Sequence, residues 1–205
     1  MKISLNQIGK RFNREWIFRN FVGAFSHEYT YAIVGPNGSG KSTLLQIIAG
    51  AVAHSEGKLE YELQGRTIAP ENIFQQISWA SPAMELIEEF TATEMLTFHQ
   101  KFKPLLKDVS IEEMLSIVNL SAAANKQIRF YSSGMKQRVK LLQALMSDVP
   151  CVLLDEPCMN LDKTGIELYQ NLVTKFRKDR LIIVSSNDPQ EYFFCDKEIN
   201  ITDYK

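Results

Sequence analysis

Nine consecutive residues, Gly35-Pro36-Asn37-Gly38-Ser39-Gly40-Lys41-Ser42-Thr43, have the types and spacing needed to hold a chain of phosphates. The glycines let successive backbone N–H groups turn inward into an anion nest, and a helix opening at Lys41 adds the partial positive charge of its N-terminus. Lys41 then reaches the β- and γ-phosphates, and the Ser42 hydroxyl suits Mg²⁺. A second stretch, Cys151-Val-Leu-Leu-Asp155-Glu156, ends an apolar run in two carboxylates. Asp155 suits a Mg²⁺ ion held through water, which leaves Glu156 free to orient or deprotonate an attacking water. Taken singly, the first stretch could be a Gly-rich turn and the second a helix cap; their presence in one chain favours phosphate chemistry.

The elements that must position these groups are legible around them. Residues 31–34 form a short apolar run before the Gly-rich loop, and residues 41–49 read as a helix with Gly50 as its stop. Upstream, Ile3, Leu5 and Ile8 alternate with polar residues and residues 18–22 suggest a second strand, giving a small antiparallel sheet at the N-terminus. Residues 55–57 suggest a turn and residues 58–63 a further strand of that sheet. From about residue 85 to 146 apolar residues fall at helical spacings, as in Met95, Phe98 and Phe102 or Met114, Leu115 and Val118, which predicts a helical insertion. Residues 151–154 and 181–184 are apolar without alternation, as strands of a parallel sheet covered on both faces require, and a helix is expected between them around residues 165–176.

Composition narrows the function classes. The chain has 205 residues, 23 Lys+Arg against 24 Asp+Glu, a formal net charge of -1 and 45% hydrophobic residues. That predicts one globular domain able to fold without disulfides or a structural metal. A charge near zero argues against a bulk nucleic-acid binder. The three cysteines, Cys151, Cys158 and Cys195, match no zinc spacing and read as thiols in a reducing compartment. The longest apolar runs fall far short of the roughly 20 residues of a membrane-spanning helix, and the first residues lack the pattern of a signal peptide.

The phosphate loop, the stretch Tyr131-Ser-Ser-Gly-Met-Lys-Gln-Arg138, the run 151–156 with Pro157, and Asn160-Leu-Asp162 resemble, in that order, the motifs of ABC-type ATP-binding subunits, over nearly the whole chain. The 131–138 stretch matches the family signature at Ser132, Gly134, Gln137 and Arg138, with Ser133 in place of a glycine and Met135 in place of a glutamine. This variant is similar to exporter subunits whose membrane partner is a separate polypeptide. Locally, Ser132 either caps the helix whose stripe is Val139, Leu142, Leu145 and Met146 or presents an anion site outward. The resemblance implies the second: Ser132 and Gly134 contact the γ-phosphate of ATP held by Lys41 of a facing subunit.

The same resemblance implies an α/β fold, a P-loop NTPase core of ABC type with a mainly parallel sheet, an N-terminal antiparallel β-subdomain and an inserted α-helical subdomain. Its expected layout is a single domain over residues 1–205, with the core in about 1–81 and 147–205 and the helical insertion in 82–146. Phe12 falls where the family stacks an aromatic on adenine, with Trp16 as a rival and support of the core as the other reading. Asp162 matches a loop that touches the opposite subunit, or else caps a helix.

Two positions depart from the family pattern: Pro82 replaces a metal-contacting glutamine, with Ser81 beside it, and Asn187 replaces a γ-phosphate-contacting histidine. An amide still donates a hydrogen bond but cannot relay a proton. Both departures bear on turnover more than on binding. The resulting expectation is an ATPase with Mg²⁺ and ATP as cofactors, working as a dimer of ATP-binding subunits, a homodimer by first expectation, on the cytoplasmic face beneath an integral membrane permease, without nucleic acid. The catalytic residues would be Glu156, Lys41 and Asn187. The alternative is a hydrolysis-poor pairing or regulatory subunit. The acidic loop with Glu85, Glu88 and Glu89 either meets a basic segment of the permease or is simply solvated.

Overall fold

The computed structural model of the chain describes residues 1–177 and 179–205. Strands β1 (Lys2–Phe12) and β2 (Glu15–Ser26) form a hairpin, followed by β3 (Thr30–Val34) and helix α1 (Lys41–Ile48). Next come β4 (Glu56–Leu63), β5 (Arg66–Ile68) and β6 (Ile77–Ala80), then helices α2 (Ala92–His99), α3 (Ile111–Ile117) and α4 (Ser133–Leu145). The chain closes with β7 (Cys151–Asp155), α5 (Lys163–Phe176), β8 (Leu181–Ser185), α6 (Pro189–Tyr192) and β9 (Lys197–Asn200).

Two sheets result. One is antiparallel in the order β2-β1-β4-β5; the other has the order β6-β7-β8-β3-β9, and each of its pairings is parallel. Strands β7 and β8 are buried at every residue, which is why their sequences run apolar without alternation. Their side chains still divide by face. Cys151 and Leu153 join the core under the antiparallel sheet and α1, with Phe18, Phe21, Leu44 and Ile48, whereas Val152 and Leu154 join the core under α4 and α5, with Leu142 and Tyr169.

The stripe Val139, Leu142, Leu145 and Met146 is fully buried. Helices α2 and α3 each open with a capping box, Thr91 with Glu94 and Ser110 with Glu113, so two orphan donors are satisfied reciprocally at each start. Two local readings differ from the structure. Residues 56 and 57 belong to β4, where the pairing with β1 shifts between Asn6 and Gly9; Gly57 adopts φ +92, and a Cβ there would lie 2.3 Å from the Gln7 carbonyl oxygen. Phe98 and Phe102 do not extend the buried face begun by Met95: Phe98 stands in the last turn of α2 and Phe102 beyond its end at His99, and both are exposed, with rings stacked edge-on at 5.1 Å.

A polar cluster joins α2 to α4. The His99 Nε2 lies 2.8 Å from Ser147 Oγ and its Nδ1 3.4 Å from Gln143 Nε2. Burial, reinforced by the charge of Lys103, pulls the His99 pKa down to about 4. The folded state therefore holds a neutral ring, its stability is complete above the unfolded value near 6.5, and it is lost as pH falls towards 4. Allowing for the ring's partial exposure, the loss is on the order of 1–2 kcal/mol. Melting temperatures taken from pH 7 to 4 should fall less steeply in His99→Gln than in the wild type; parallel curves would remove His99 as the cause.

Candidate nucleotide site

The parallel register gathers the chemistry-bearing residues at one edge. Asp155 is paired with Ser185, and Ser185 with Ile33, so the ends of β7, β8 and β3 lie in one row. Ala80 is paired with Leu154, which brings Ser81 beside Asp155. Crevices at the carboxyl ends of parallel strands are the usual ligand sites of such sheets.

The loop after β3 forms a cradle for an anion. Gly40 sits at φ 105 as the N-cap of α1 and supplies no side-chain cap; a Cβ there would meet Ile17 Cγ2 at 2.6 Å. The first bond along the helix runs from the Leu44 amide to the Gly40 carbonyl at 2.9 Å, so the amides of residues 41–43 are the free donors of the first turn. Lys41, only 4% exposed, folds back across the loop and donates to the carbonyls of Gly35 at 2.8 Å and Pro36 at 3.2 Å. The Ser39 Oγ is one of five buried side-chain atoms without a hydrogen-bond partner among the described residues. Residues 37–43, Ile17 and Glu156 line a cleft of about 200 Å³.

An oxygen cluster adjoins this cradle. The Ser42 hydroxyl donates to Asp155 Oδ1 at 2.9 Å, and the Ser81 hydroxyl to Oδ2 at 3.4 Å. Burial pushes the Asp155 carboxyl above its ordinary value, while hydroxyl hydrogen bonds and the Lys41 charge oppose the rise. A desolvated carboxylate with hydroxyl neighbours fits a hard dication such as Mg²⁺. Among the described residues no group of three or more His, Cys, Asp and Glu could hold a metal by itself. Such an ion would take its remaining ligands from phosphate and water, as Mg²⁺ does readily. Glu156 follows at the cleft wall with φ 43, its amide donating to the Ser185 carbonyl at 2.9 Å.

The remaining sequence candidates fall in several places. Asn187 Nδ2 donates to Asn37 Oδ1 at 3.1 Å, so this amide touches the phosphate loop itself. Pro82 points no donor at Asp155; its carbonyl accepts from Lys140 of α4 at 3.0 Å. Phe12 is 49% exposed with Lys10 Nζ 4.7 Å from its ring centroid, so it does not support the core. The Trp16 ring is covered by the Arg19 guanidinium at 4.4 Å. Ser132 accepts from the Met135 amide at 3.2 Å as the N-cap of α4, and Gly134 packs beside the Asn160 carbonyl; neither lines the cleft. Asp162 accepts from the Gly165 amide at 2.8 Å and caps α5. Sequence reasoning missed Lys140 and the buried Glu191, whose partners lie 58 and 33 residues away with no spacing to announce them.

A phosphate cradle between a parallel strand and a helix, with an acidic strand end beside it, defines a P-loop nucleotide-binding domain. Residues 18–159 match the family model described as ABC transporter, and the chain belongs to that family. It is 31% identical over 188 residues to YxlF, an ABC transporter ATP-binding protein of Bacillus subtilis, covering 90% of this chain and 62% of that one. It is 34% identical over 142 residues to CcmA of Xylella fastidiosa, a cytochrome c biogenesis ATP-binding export protein, covering 69% and 63%. The chain thus spans less than two thirds of the length of either relative. Among solved structures it is similar to an ATP-binding protein of Pyrococcus furiosus, with TM-score 0.83, 18% identity and 100% coverage of both chains. A dimeric ATP-binding cassette bound to ADP and Pi gives TM-score 0.82 at 22% identity, covering 97% of this chain and 94% of that one. At these identities the structural likeness is one of fold, the ABC ATPase fold with its antiparallel and parallel sheets.

Proposed function

We propose that this chain is the ATP-binding and ATP-hydrolysing subunit of an exporter, acting as a dimer on the cytoplasmic face beneath a separate membrane permease. The observation that carries the reading is the 2.9 Å contact between Ser42 and Asp155, which joins the phosphate loop to the acidic strand end across 113 residues. Lys41 and the amides of residues 41–43 bind the triphosphate, and Phe12 receives the adenine. Ser42 and Asp155 hold Mg²⁺, which when bound neutralises charge on the β- and γ-oxygens. Glu156 orients or deprotonates the attacking water, and Asn187 donates a hydrogen bond near the γ-phosphate. Ser132 and Gly134, outside their own chain's cleft, serve the ATP of the facing copy.

Among the described residues no helix is long and apolar enough to cross a membrane, and this reading assigns the pore to another polypeptide. A cleft of about 720 Å³ beside residues 84–89 joins Glu85, Glu88 and Glu89 to Lys136 and Lys140. Glu88 is paired with Lys136 and Glu89 lies 3.7 Å from Arg129, so of the three carboxylates Glu85 is the one outside an ion pair among the described residues and would meet a basic segment of the permease. CcmA of Xylella fastidiosa is an ATP-binding export protein, which supports the direction. A second reading, a pairing subunit that binds ATP but scarcely turns it over, is favoured by the Pro82 carbonyl held by Lys140 and by the amide in place of an imidazole at Asn187.

Dimer formation is tested by light scattering of Glu156→Gln, which should double in mass on addition of saturating Mg-ATP and stay monomeric with Mg-ADP. A monomer under both conditions would contradict the facing-subunit role of Ser132. Phe12→Ala should weaken ATP binding by about 1–2 kcal/mol, roughly five- to thirtyfold, the value of a stacked base. Trp16→Ala, whose ring is already engaged by Arg19, should change it less; a titration showing the reverse order would move the adenine to Trp16.

A further inference from the structure

Glu156 holds an unusual backbone. It stands at φ 43, a left-handed conformation that side chains with a Cβ seldom adopt, and it precedes Pro157, which further restricts it. Such a conformation persists only where its surroundings over-determine it. The surroundings here are specific. The Gln137 Nε2 of α4 donates to the Pro157 carbonyl at 2.8 Å, and the Cys158 amide donates to Glu191 Oε1 of α6 at 2.7 Å.

Those two backbone groups belong to one peptide unit, so two side chains from different helices grip opposite ends of a single plane. Because the proline ring locks the preceding φ, gripping that plane leaves little freedom between it and Glu156. Glu191 is itself held from a third helix, its carbonyl accepting from the Tyr169 hydroxyl at 2.6 Å, and α6 begins two residues after Asn187.

Glu191 is an expensive residue for this place. It is 5% exposed and forms no ion pair among the described residues, although a Leu or Gln would fill similar space without a buried carboxyl. Burial pushes its pKa up to about 7, against the hydrogen bonds it receives.

We propose that Glu191 is a positioning residue for ATP turnover: by accepting the Cys158 amide opposite Gln137 it clamps the peptide after Pro157 and so sets Glu156 against the cleft. This rests on the reading of Glu156 as the residue that activates water. The clamp also joins the acidic strand end to the Asn187 turn, so the two groups that face the γ-phosphate from different strands share one mechanical anchor.

The test compares Glu191→Gln, which keeps an acceptor oxygen, with Glu191→Leu, which removes it. Glu191→Leu should lower kcat on the order of ten- to a hundredfold, the effect of misplacing a reacting group, while the KM for ATP and nucleotide affinity stay unchanged. Glu191→Gln should restore turnover to near the wild-type rate. Amide hydrogen exchange over residues 158–160 should accelerate about tenfold or more in Glu191→Leu but not in Glu191→Gln, with the phosphate loop unaffected. Gln137→Leu, which releases the other end of the plane, should reproduce the pattern of Glu191→Leu and decides the matter if that variant fails to fold.

Wild-type kcat in a folded Glu191→Leu, unchanged exchange at residues 158–160, or a Glu191→Gln as slow as Glu191→Leu would overturn the proposal. A wild type no faster than Glu156→Gln would instead remove the hydrolytic reading beneath it, and the proposal with it, which the paired controls distinguish.

Discussion

Lys41→Ala should lose ATP binding by on the order of a hundredfold, about 3 kcal/mol, because it removes a charged donor from the proposed phosphate site. The size follows from where the ammonium lies. It is nearly inaccessible and bonded to the carbonyls of Gly35 and Pro36, so it is pre-ordered at the mouth of the nest and has little side-chain freedom left to lose when phosphate arrives. The same two bonds brace the loop. Their loss should therefore lower thermal stability modestly while leaving the sheet intact. Calorimetric titration with Mg-ATP measures the affinity directly; an unchanged dissociation constant would show that residues 35–43 do not hold the phosphates.

The second large effect is expected of Glu156→Gln, which should lower turnover about 10²- to 10⁴-fold while ATP still binds. Gln keeps the size and one acceptor oxygen of Glu but cannot take a proton. Asp155, one residue earlier, points into the Ser42–Ser81 cluster and is already committed there, so it cannot take over the base. Glu156 is the carboxylate that lines the cleft with the phosphate loop. Single-turnover measurement with the two variants side by side separates the effects: Lys41→Ala fails at binding and Glu156→Gln after it. Equal loss of affinity in both would mean that Glu156 supports the loop and not the chemistry.

Much of this site could be read from the chain because its two main parts are local. Nine contiguous residues spell the phosphate loop, and the apolar run 151–154 announces a buried strand whose end must be where Asp155 and Glu156 stand. What stayed hidden depends on long-range register. That β8 lies between β7 and β3, and that Ser81 faces Asp155, follow from pairings that no spacing in the sequence encodes. The grip of Gln137 and Glu191 on the peptide after Pro157 spans 20 and 33 residues and gives no periodic signal.

The local misreadings have physical causes. Ser55-Glu-Gly57 has turn chemistry, but Gly57 serves a strand shift against the Gln7 carbonyl. Phe98 stands in the last turn of α2 and Phe102 past its end, so their rings meet each other on the surface, with Phe98 also edge-on to Phe90. At Ser132 and Asp162 the cap reading describes this chain's own contacts, and any role towards a second copy requires that copy.

Nucleotide binding and hydrolysis place unequal demands on this chain. Binding needs the cradle, Lys41, Ser42 and Asp155, all of which converge. Hydrolysis also needs transition-state contacts, and here Pro82 offers only a carbonyl already held by Lys140 while Asn187 offers an amide shared with Asn37. Steady-state phosphate release at saturating Mg-ATP, measured for the wild type alone and with the proposed membrane permease and set against Glu156→Gln under the same conditions, bears on that difference most directly. The wild-type rate should lie well above that of the variant and be abolished by removal of Mg²⁺. A wild-type rate indistinguishable from Glu156→Gln, with ATP binding intact, would contradict the hydrolytic reading and leave a nucleotide-binding subunit that pairs without turning over.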